Sequence, residues 1–221
     1  HGLHNDRVHA ALETIRSRGG TAEGTTQQIE TADDILPLMR RLHEQGAPPT
    51  ILVVAFGPIE YASLARSSLD LHRRMMELNY VLPAALIRES LPAMDKRGFG
   101  RIVLFGGSAT DRIQGFTTIP AYSAAKTALG SLVKSTAKAV AKKNRETGNS
   151  AQLDVTINAI CPDYVHTEYL TGAEVERYAH AMPLKRLVTP QEIADIAVFL
   201  TRPAAASISG ELLGVDQGKQ R

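Results

Sequence analysis

Apolar positions change period along this chain. Val8, Ala11, Leu12 and Ile15 recur at helical spacing and Gly19-Gly20 follows them, so residues 8–18 are predicted to form an amphipathic helix. A second helix is expected from Thr31 to about residue 45. Thr31 is its N-cap, Asp34 is a weak capping-box partner three residues on, and Gly46-Ala47-Pro48-Pro49 ends it. Residues 50–55 are short, apolar and β-branched, the pattern of a strand buried on both faces. A long helix is predicted over residues 69–94, and a second buried strand over 101–105 before Gly106-Gly107. An alanine-rich helix is expected over 122–143 and a third strand over 154–160, ending at Cys161-Pro162. Thr189-Pro190-Gln191-Glu192 combines an N-cap threonine, a first-turn proline and a glutamate three residues from the cap, which starts a helix running to about residue 200. A short strand over 211–215 closes the series. Residues 167–183 have weak periodicity and are expected to be the most mobile stretch.

Alternating helices and short buried strands imply an α/β fold with a parallel, doubly wound sheet in three layers, as a single domain over residues 1–221. Composition adds little against that. Hydrophobic residues are 43% and charged residues 22%, within the globular range. The formal charge of +2 gives no sign of a nucleic-acid or membrane-surface partner. Lys138, Lys142, Lys143 and Arg145 cluster at a helix end, where they complement the helix dipole. The single cysteine, Cys161, excludes an intrachain disulfide framework and points to a reducing compartment. With no apolar run near the ~20 residues that span a bilayer and no signal-peptide pattern, a cytoplasmic location is expected.

The chemistry begins with Tyr122 and Lys126. Four residues on a helix place phenol and ammonium on one face. A fixed positive charge beside a phenol favours the phenolate, so the pair is expected to lower the tyrosine pKa and serve as an acid/base catalyst. In doubly wound sheets ligands bind beyond the carboxyl ends of the strands. Ala55-Phe56-Gly57-Pro58, Gly106-Gly107-Ser108 and Cys161-Pro162-Asp163-Tyr164-Val165-His166-Thr167 all fall there. Pro83, four residues after Asn79, cannot donate to the Asn79 carbonyl and should kink the helix and leave that carbonyl available.

Over nearly its whole length the chain resembles the short-chain dehydrogenase/reductase family, in particular its 3-oxoacyl-carrier-protein reductases. The resemblance rests on Tyr122-Ser123-Ala124-Ala125-Lys126, Gly100-Arg101-Ile102-Val103, Asn158-Ala159-Ile160-Cys161-Pro162 with Thr167 downstream, Pro190-Gln191-Glu192-Ile193-Ala194, Phe199-Leu200, Ile208-Ser209-Gly210 and Val215-Asp216-Gln217-Gly218. It implies that Tyr122 exchanges a proton with the substrate oxygen and that Lys126 lowers its pKa and holds the nicotinamide ribose. It implies a hydroxyl that bonds the substrate carbonyl, for which Ser108 is the candidate. Counting from Gly100-Arg101-Ile102, the usual serine falls on Gly107, and Thr110 is a second possibility. Asn79 matches the asparagine whose backbone carbonyl holds a water in the proton relay. Gly57, Gln28, Pro162, Val165 and Thr167 join Tyr122 and Lys126 as implied cofactor contacts. The implied activity is NAD(P)-dependent interconversion of a small-molecule carbonyl and a secondary alcohol.

The chain also departs from the family pattern. The glycine-rich phosphate turn is absent. His1-Gly2-Leu3-His4-Asn5-Asp6-Arg7 looks like the end of a second strand, so an N-terminal strand–helix–strand unit is expected to be missing from this sequence. Val54-Ala55-Phe56-Gly57 replaces Asn-Asn-Ala-Gly, Gln28 stands where an aspartate usually meets adenine, and Asp163 and Gln217 replace glycines. Leu3 and His4, with Arg7 nearby, stand where an acid would select NAD, which favours NADP with NAD as the alternative. A non-catalytic binding or scaffolding protein is the second reading. The resemblance further implies a homodimer or homotetramer built on the helices carrying Asn79 and Tyr122, with Ala124, Ala128 and Ala137 suited to close packing. The pocket walls would come from the loop between Ser108 and Ala121, with Ile113, Phe116 and Ile119, and from residues 167–183.

Overall fold

The computed structural model describes residues 1–2, 4–147 and 153–219. Leu3, one of the positions weighed for cofactor choice, lies outside the described residues. Four parallel strands, β1 (Ile51–Val54), β2 (Phe99–Phe105), β3 (Asp154–Pro162) and β4 (Leu212–Val215), lie side by side in chain order. Register pairs Val54 with Leu104, Phe105 with Ile160, and Pro162 with Val215, so the carboxyl ends of the strands lie along one edge of the sheet.

Strand alternation divides the core into two layers. Ile102 and Leu104 of β2, with Val155, Ile157 and Ala159 of β3, pack on one face against Leu78, Leu82, Leu86, Leu129 and Val133. These last residues belong to the turn that follows α3 (Leu69–Met76), to α4 (Leu82–Arg97) and to α5 (Pro120–Thr147). Val103 and Ile160 point to the other face, where α6 (Gly172–Ala181) and α7 (Pro190–Thr201) contribute Val175, Tyr178, Ile193 and Leu200. Each fully buried aliphatic side chain contributes roughly 1.5–3 kcal/mol, so these layers hold the strand ends in place. All three crossovers step in the same direction across the sheet. The last lies on the opposite face from the first two, so it has the opposite hand. If the first two have the usual right-handed sense, β3 to β4 is left-handed.

Most predicted elements form, with informative differences. The first helix, α1, spans Asn5–Ser17, but none of its residues is buried and Ile15 is 44% exposed. Its Val8 and Leu12 cover Gly24 instead of entering the core. The second predicted helix divides into a 3₁₀ turn, Ala32–Ile35, and α2, Leu36–Glu44; the Asp34 carboxylate accepts from the Thr31 backbone N–H at 2.8 Å, as the capping box requires. Strand β1 was expected to be buried on both faces. Only one face is covered: Val54 is buried while Ile51 and Val53 are 46% and 47% exposed, because β1 is an edge of this sheet. The long helix over 69–94 is interrupted by a π-helical turn, Glu77–Val81, between α3 and α4. Residues 167–183 contain α6, whose start is set by a Thr171/Glu174 capping box that the weak apolar periodicity did not reveal.

Candidate active site

The strand ends carry the candidate residues as loops. Gly57 follows β1, the segment from Gly106 to Thr110 follows β2, and Asp163 to Thr167 follows β3. The first two turns of α5 bring Tyr122 and Lys126 beneath them. Lys126 is 3% exposed and its Nζ donates to the Phe105 carbonyl at 2.7 Å, the last residue of β2. Its ammonium also lies 5.8 Å from the centre of the Tyr122 ring.

Gly57 ties three elements together. Its φ is +154°, and a Cβ built there would lie 2.4 Å from Asn79 Oδ1 and 2.7 Å from Lys126 Nζ. Those two atoms therefore lie within about 5 Å of each other. Asn79 is fully buried at the π-helical turn; its amide donates to the Pro58 carbonyl at 3.1 Å, while its Oδ1 has no hydrogen-bond partner. The kink expected at Pro83 is thus accommodated by a wider turn. There the Leu82 N–H reaches back five residues to Glu77, and Pro83 has no N–H to donate to Asn79.

Burial dominates the electrostatics. It pushes the Tyr122 phenol up to about 12, with smaller contributions from Tyr61 and Cys161. This is opposite to the lowering expected from Lys126: desolvation of the phenolate sets the direction. Burial also brings Lys126 down to about 8, opposed by the Cys161 thiol, and raises Cys161 to about 11.

The loop after β2 carries the candidate hydroxyls. A Cβ at Gly107 would lie 2.9 Å from the Tyr122 hydroxyl, so position 107 faces the phenol and carries no side chain. Ser108, one residue on, donates to Asp163 Oδ1 at 2.8 Å. Thr110 is buried and committed to the loop, accepting from the Gly107 N–H and donating to the Gly107 carbonyl. Asp163, singled out in sequence only as a glycine replacement, is therefore a direct partner of the candidate hydroxyl. Its contact spans 55 residues, and no local spacing reveals it.

The remaining implied cofactor contacts are dispersed. Pro162 ends β3, and Val165 bridges to Val188 in the segment leaving it. The Thr167 carbonyl accepts from Leu170 N–H. Gln28 is exposed and meets Glu30 at 3.4 Å, outside the buried cluster. Arg7 is engaged elsewhere: its guanidinium pairs with Glu168 at 2.9 Å and covers the Tyr169 ring.

A dinucleotide fits one end of this arrangement. Lys126 and the unpartnered Asn79 Oδ1 around Gly57 offer a donor and an acceptor suited to a ribose or carboxamide. The described residues do not include a glycine-rich turn ahead of α1. A largely apolar cavity of about 600 Å³ opens instead between α1 and β1, lined by Val8, Leu52, Val54, Phe56 and Leu82 among others. It reaches the end of β1 but does not include Tyr122 or Lys126. Among the described residues no acidic, histidine or cysteine cluster could hold a metal, and no helix is long and apolar enough to cross a membrane.

The doubly wound parallel sheet and the residues gathered at its carboxyl edge define an α/β oxidoreductase. The chain belongs to the short-chain dehydrogenase/reductase family: the family model described as Enoyl-(Acyl carrier protein) reductase matches residues 3–220. Dehydrogenase/reductase SDR family member 4 of Rattus norvegicus is 26% identical over 222 residues, covering 96% of this chain and 74% of that protein. A 3-oxoacyl-[acyl-carrier-protein] reductase of Aquifex aeolicus is 26% identical over 224 residues, covering 98% and 84%. The crystal structure of a 3-oxoacyl (acyl-carrier-protein) reductase from Agrobacterium tumefaciens C58, solved with NADP bound, superposes with a TM-score of 0.85 at 24% identity, covering 99% of this chain and 82% of that one.

Proposed function

We propose that this chain is the catalytic domain of an NAD(P)-dependent enzyme that interconverts a carbonyl and a secondary alcohol. The observation that carries the reading is the convergence of Lys126 and Asn79 on Gly57, with Tyr122 one turn before Lys126 on α5. When bound, the dinucleotide supplies the hydride-transfer chemistry, held at its nicotinamide–ribose end by Lys126, Tyr122 and the Gly57 loop, with Pro162, Val165 and Thr167 along the other wall. The absence of an acid at His4 favours NADP, with NAD as the alternative. Because Arg7 is paired with Glu168, it adds nothing to that preference.

Tyr122 gives its proton to the carbonyl oxygen as that oxygen becomes an alkoxide. An alkoxide is a stronger base than a phenolate, so the transfer is downhill even from a phenol raised to about 12. Lys126, lowered to about 8, is a stronger acid than the phenol and returns a proton to Tyr122. The Asn79 backbone carbonyl carries the relay onward through water. At neutral pH a phenol with so high a pKa stays protonated and is ready to donate. Ser108 reaches a substrate oxygen by exchanging its bond to Asp163 for one to the substrate. The names of the relatives suggest 3-oxoacyl thioesters and ketones as the first substrates to try. Tyr122→Phe is expected to lower turnover by roughly 10²–10⁴-fold with the fold retained; a variant that matches its parent sinks the mechanism.

A second reading, a non-catalytic binding protein, draws support from Val54-Ala55-Phe56, which stand where the family pattern has Asn-Asn-Ala before Gly57. Saturable binding of NADPH or NADH, followed by nicotinamide fluorescence, separates the two. A homodimer or homotetramer in a reducing, cytoplasmic compartment accompanies the first reading. Ala124 is exposed and Ala128 half-buried on α5, whereas the Cβ of Ala137 faces Gly210 within the chain. Light scattering in solution tests the assembly.

A further inference from the structure

Asp163 sits where three parts of the molecule meet. Its backbone N–H donates to the Val215 carbonyl at the end of β4, and its side chain is 1% exposed. One carboxylate oxygen accepts the Ser108 hydroxyl at 2.8 Å. The other lies 2.9 Å from Lys219 Nζ without hydrogen-bond alignment. Lys219 belongs to the C-terminal turn, where its backbone N–H donates to the Asp216 carbonyl. It is held from the opposite side too: its ammonium lies 4.4 Å over the Tyr164 ring, and Tyr164 stacks on Tyr178 of α6 at 4.2 Å. Arg177 covers the Tyr178 ring at 4.6 Å. The sequence Ser108, Asp163, Lys219, Tyr164, Tyr178 is thus one continuous chain of contacts from the loop after β2 to the C-terminal turn and α6.

A serine hydroxyl has one proton. Given to a carboxylate it makes a charge-assisted bond, stronger than the bond it would make to a neutral carbonyl. Lys219 offsets the charge that burial would otherwise make costly. We propose that Asp163 is a positioning residue that, anchored by Lys219, holds the Ser108 proton away from the substrate oxygen and so restrains carbonyl reduction at this site. The inference rests on the carbonyl-reduction reading above, and it makes the site one whose second donor is set by the docking of the C-terminal turn.

The test is single-turnover carbonyl reduction by the parent, Asp163→Asn, Asp163→Ala, Ser108→Ala and the Ser108→Ala/Asp163→Ala double variant. The backbone at 163 has no left-handed φ, so alanine is tolerated there. The rate should rise in the order Asp, Asn, Ala, by about threefold or more at Ala, because a neutral amide holds the proton less tightly and alanine not at all. Adding Ser108→Ala should remove the gain, so the non-additivity equals that gain, about threefold or more. A flat or inverted order, or additive effects, overturns the proposal, and Asp163→Asn decides the direction if the alanine variant fails to fold. Tyr122→Phe in the same assay separates the two ideas: a parent-like rate there fells the carbonyl-reduction reading itself, while a loss there with a flat Asp163 series fells only this inference. A readout independent of turnover goes with it. Amide exchange in residues 216–219 should speed several-fold in both Asp163 variants and not in Ser108→Ala; unchanged exchange in the Asp163 variants overturns the tie to the C-terminal turn.

Discussion

Lys126 donates a 2.7 Å hydrogen bond to the Phe105 carbonyl, so the helix that carries the ammonium is fastened to the end of the adjacent strand. One bond to a neutral carbonyl does not replace the hydration of an ammonium, and burial brings the group down to about 8 from 10.5. The unfolded chain therefore binds more protons at this side chain between those values, and stability from this group rises with pH across that window. Cys161, raised from 9.0 to about 11, and Tyr122, raised from 10.0 to about 12, act in the opposite sense at higher pH. Between about pH 8 and 9, then, Lys126 is the group of these three that titrates. Urea unfolding should show stability increasing over that interval in the parent and no such increase in Lys126→Met. NMR titration of the lysine side chains should place one near 8; if all titrate above 10, burial does not act on Lys126 as described.

Gly57→Ala attacks the same centre from another strand. The backbone there has φ +154°, which L residues rarely adopt, and the new methyl would stand 2.4 Å from Asn79 Oδ1 and 2.7 Å from Lys126 Nζ. Backbone strain and overpacking each cost about 1–3 kcal/mol, so a loss of roughly 2–6 kcal/mol is expected in denaturant unfolding. Turnover should fall further than stability explains, because the displaced atoms are the lysine and asparagine of the relay. A variant as stable and as active as its parent would show that the three residues do not meet.

What the sequence reveals about this protein depends on range. β-branched runs gave β2 and β3 within about two residues at either end, and the Thr189/Glu192 capping box marked the start of α7. Both signals are local, carried by a few neighbouring side chains. The Tyr122/Lys126 spacing is local too, and it is what marks the candidate site in the sequence. The π-helical turn was only half legible: Pro83 announces a disturbance, while the turn that accommodates it depends on packing against α5. The bond from Ser108 to Asp163 spans 55 residues and has no local signature. The direction of the Tyr122 shift is not legible in the sequence, because spacing reports a nearby charge but not the desolvation that raises the phenol.

Glu192 gives a prediction at the acid end. Its carboxylate accepts two hydrogen bonds from Arg186, at 2.9 and 2.7 Å, and another from the Thr189 backbone N–H at 2.8 Å. The Arg186 bonds first, then the cap, hold its pKa down to about 2 from 4.5. The folded state therefore binds fewer protons than the unfolded state in that window, and the contribution is complete above pH 4.5 and lost as pH falls towards 2. Glu192→Gln keeps a side chain of the same size without the charge. Its deficit relative to the parent in urea unfolding should be largest near neutral pH and should shrink below pH 4. A deficit constant with pH would mean that the carboxylate charge is not what fixes the start of α7.

Gln217 stands in the C-terminal turn with φ +60°, a conformation that costs a non-glycine residue about 1 kcal/mol. Its side chain offsets that cost. The Leu184 N–H donates to its Oε1 at 2.9 Å, and its Nε2 donates to the Arg186 carbonyl at 2.9 Å, joining the turn to the segment before α7. Each exposed bond of this kind contributes about 0.5–1.5 kcal/mol. Gln217→Gly removes the backbone cost and both bonds, leaving a net loss of about 0–2 kcal/mol. Gln217→Ala keeps the cost and loses the bonds, for about 1–3 kcal/mol. Denaturant unfolding should therefore rank Gln above Gly and Gly above Ala. A glycine variant more stable than the parent would show that the two bonds do not hold the turn, and it would also loosen the support that keeps Lys219 beside Asp163.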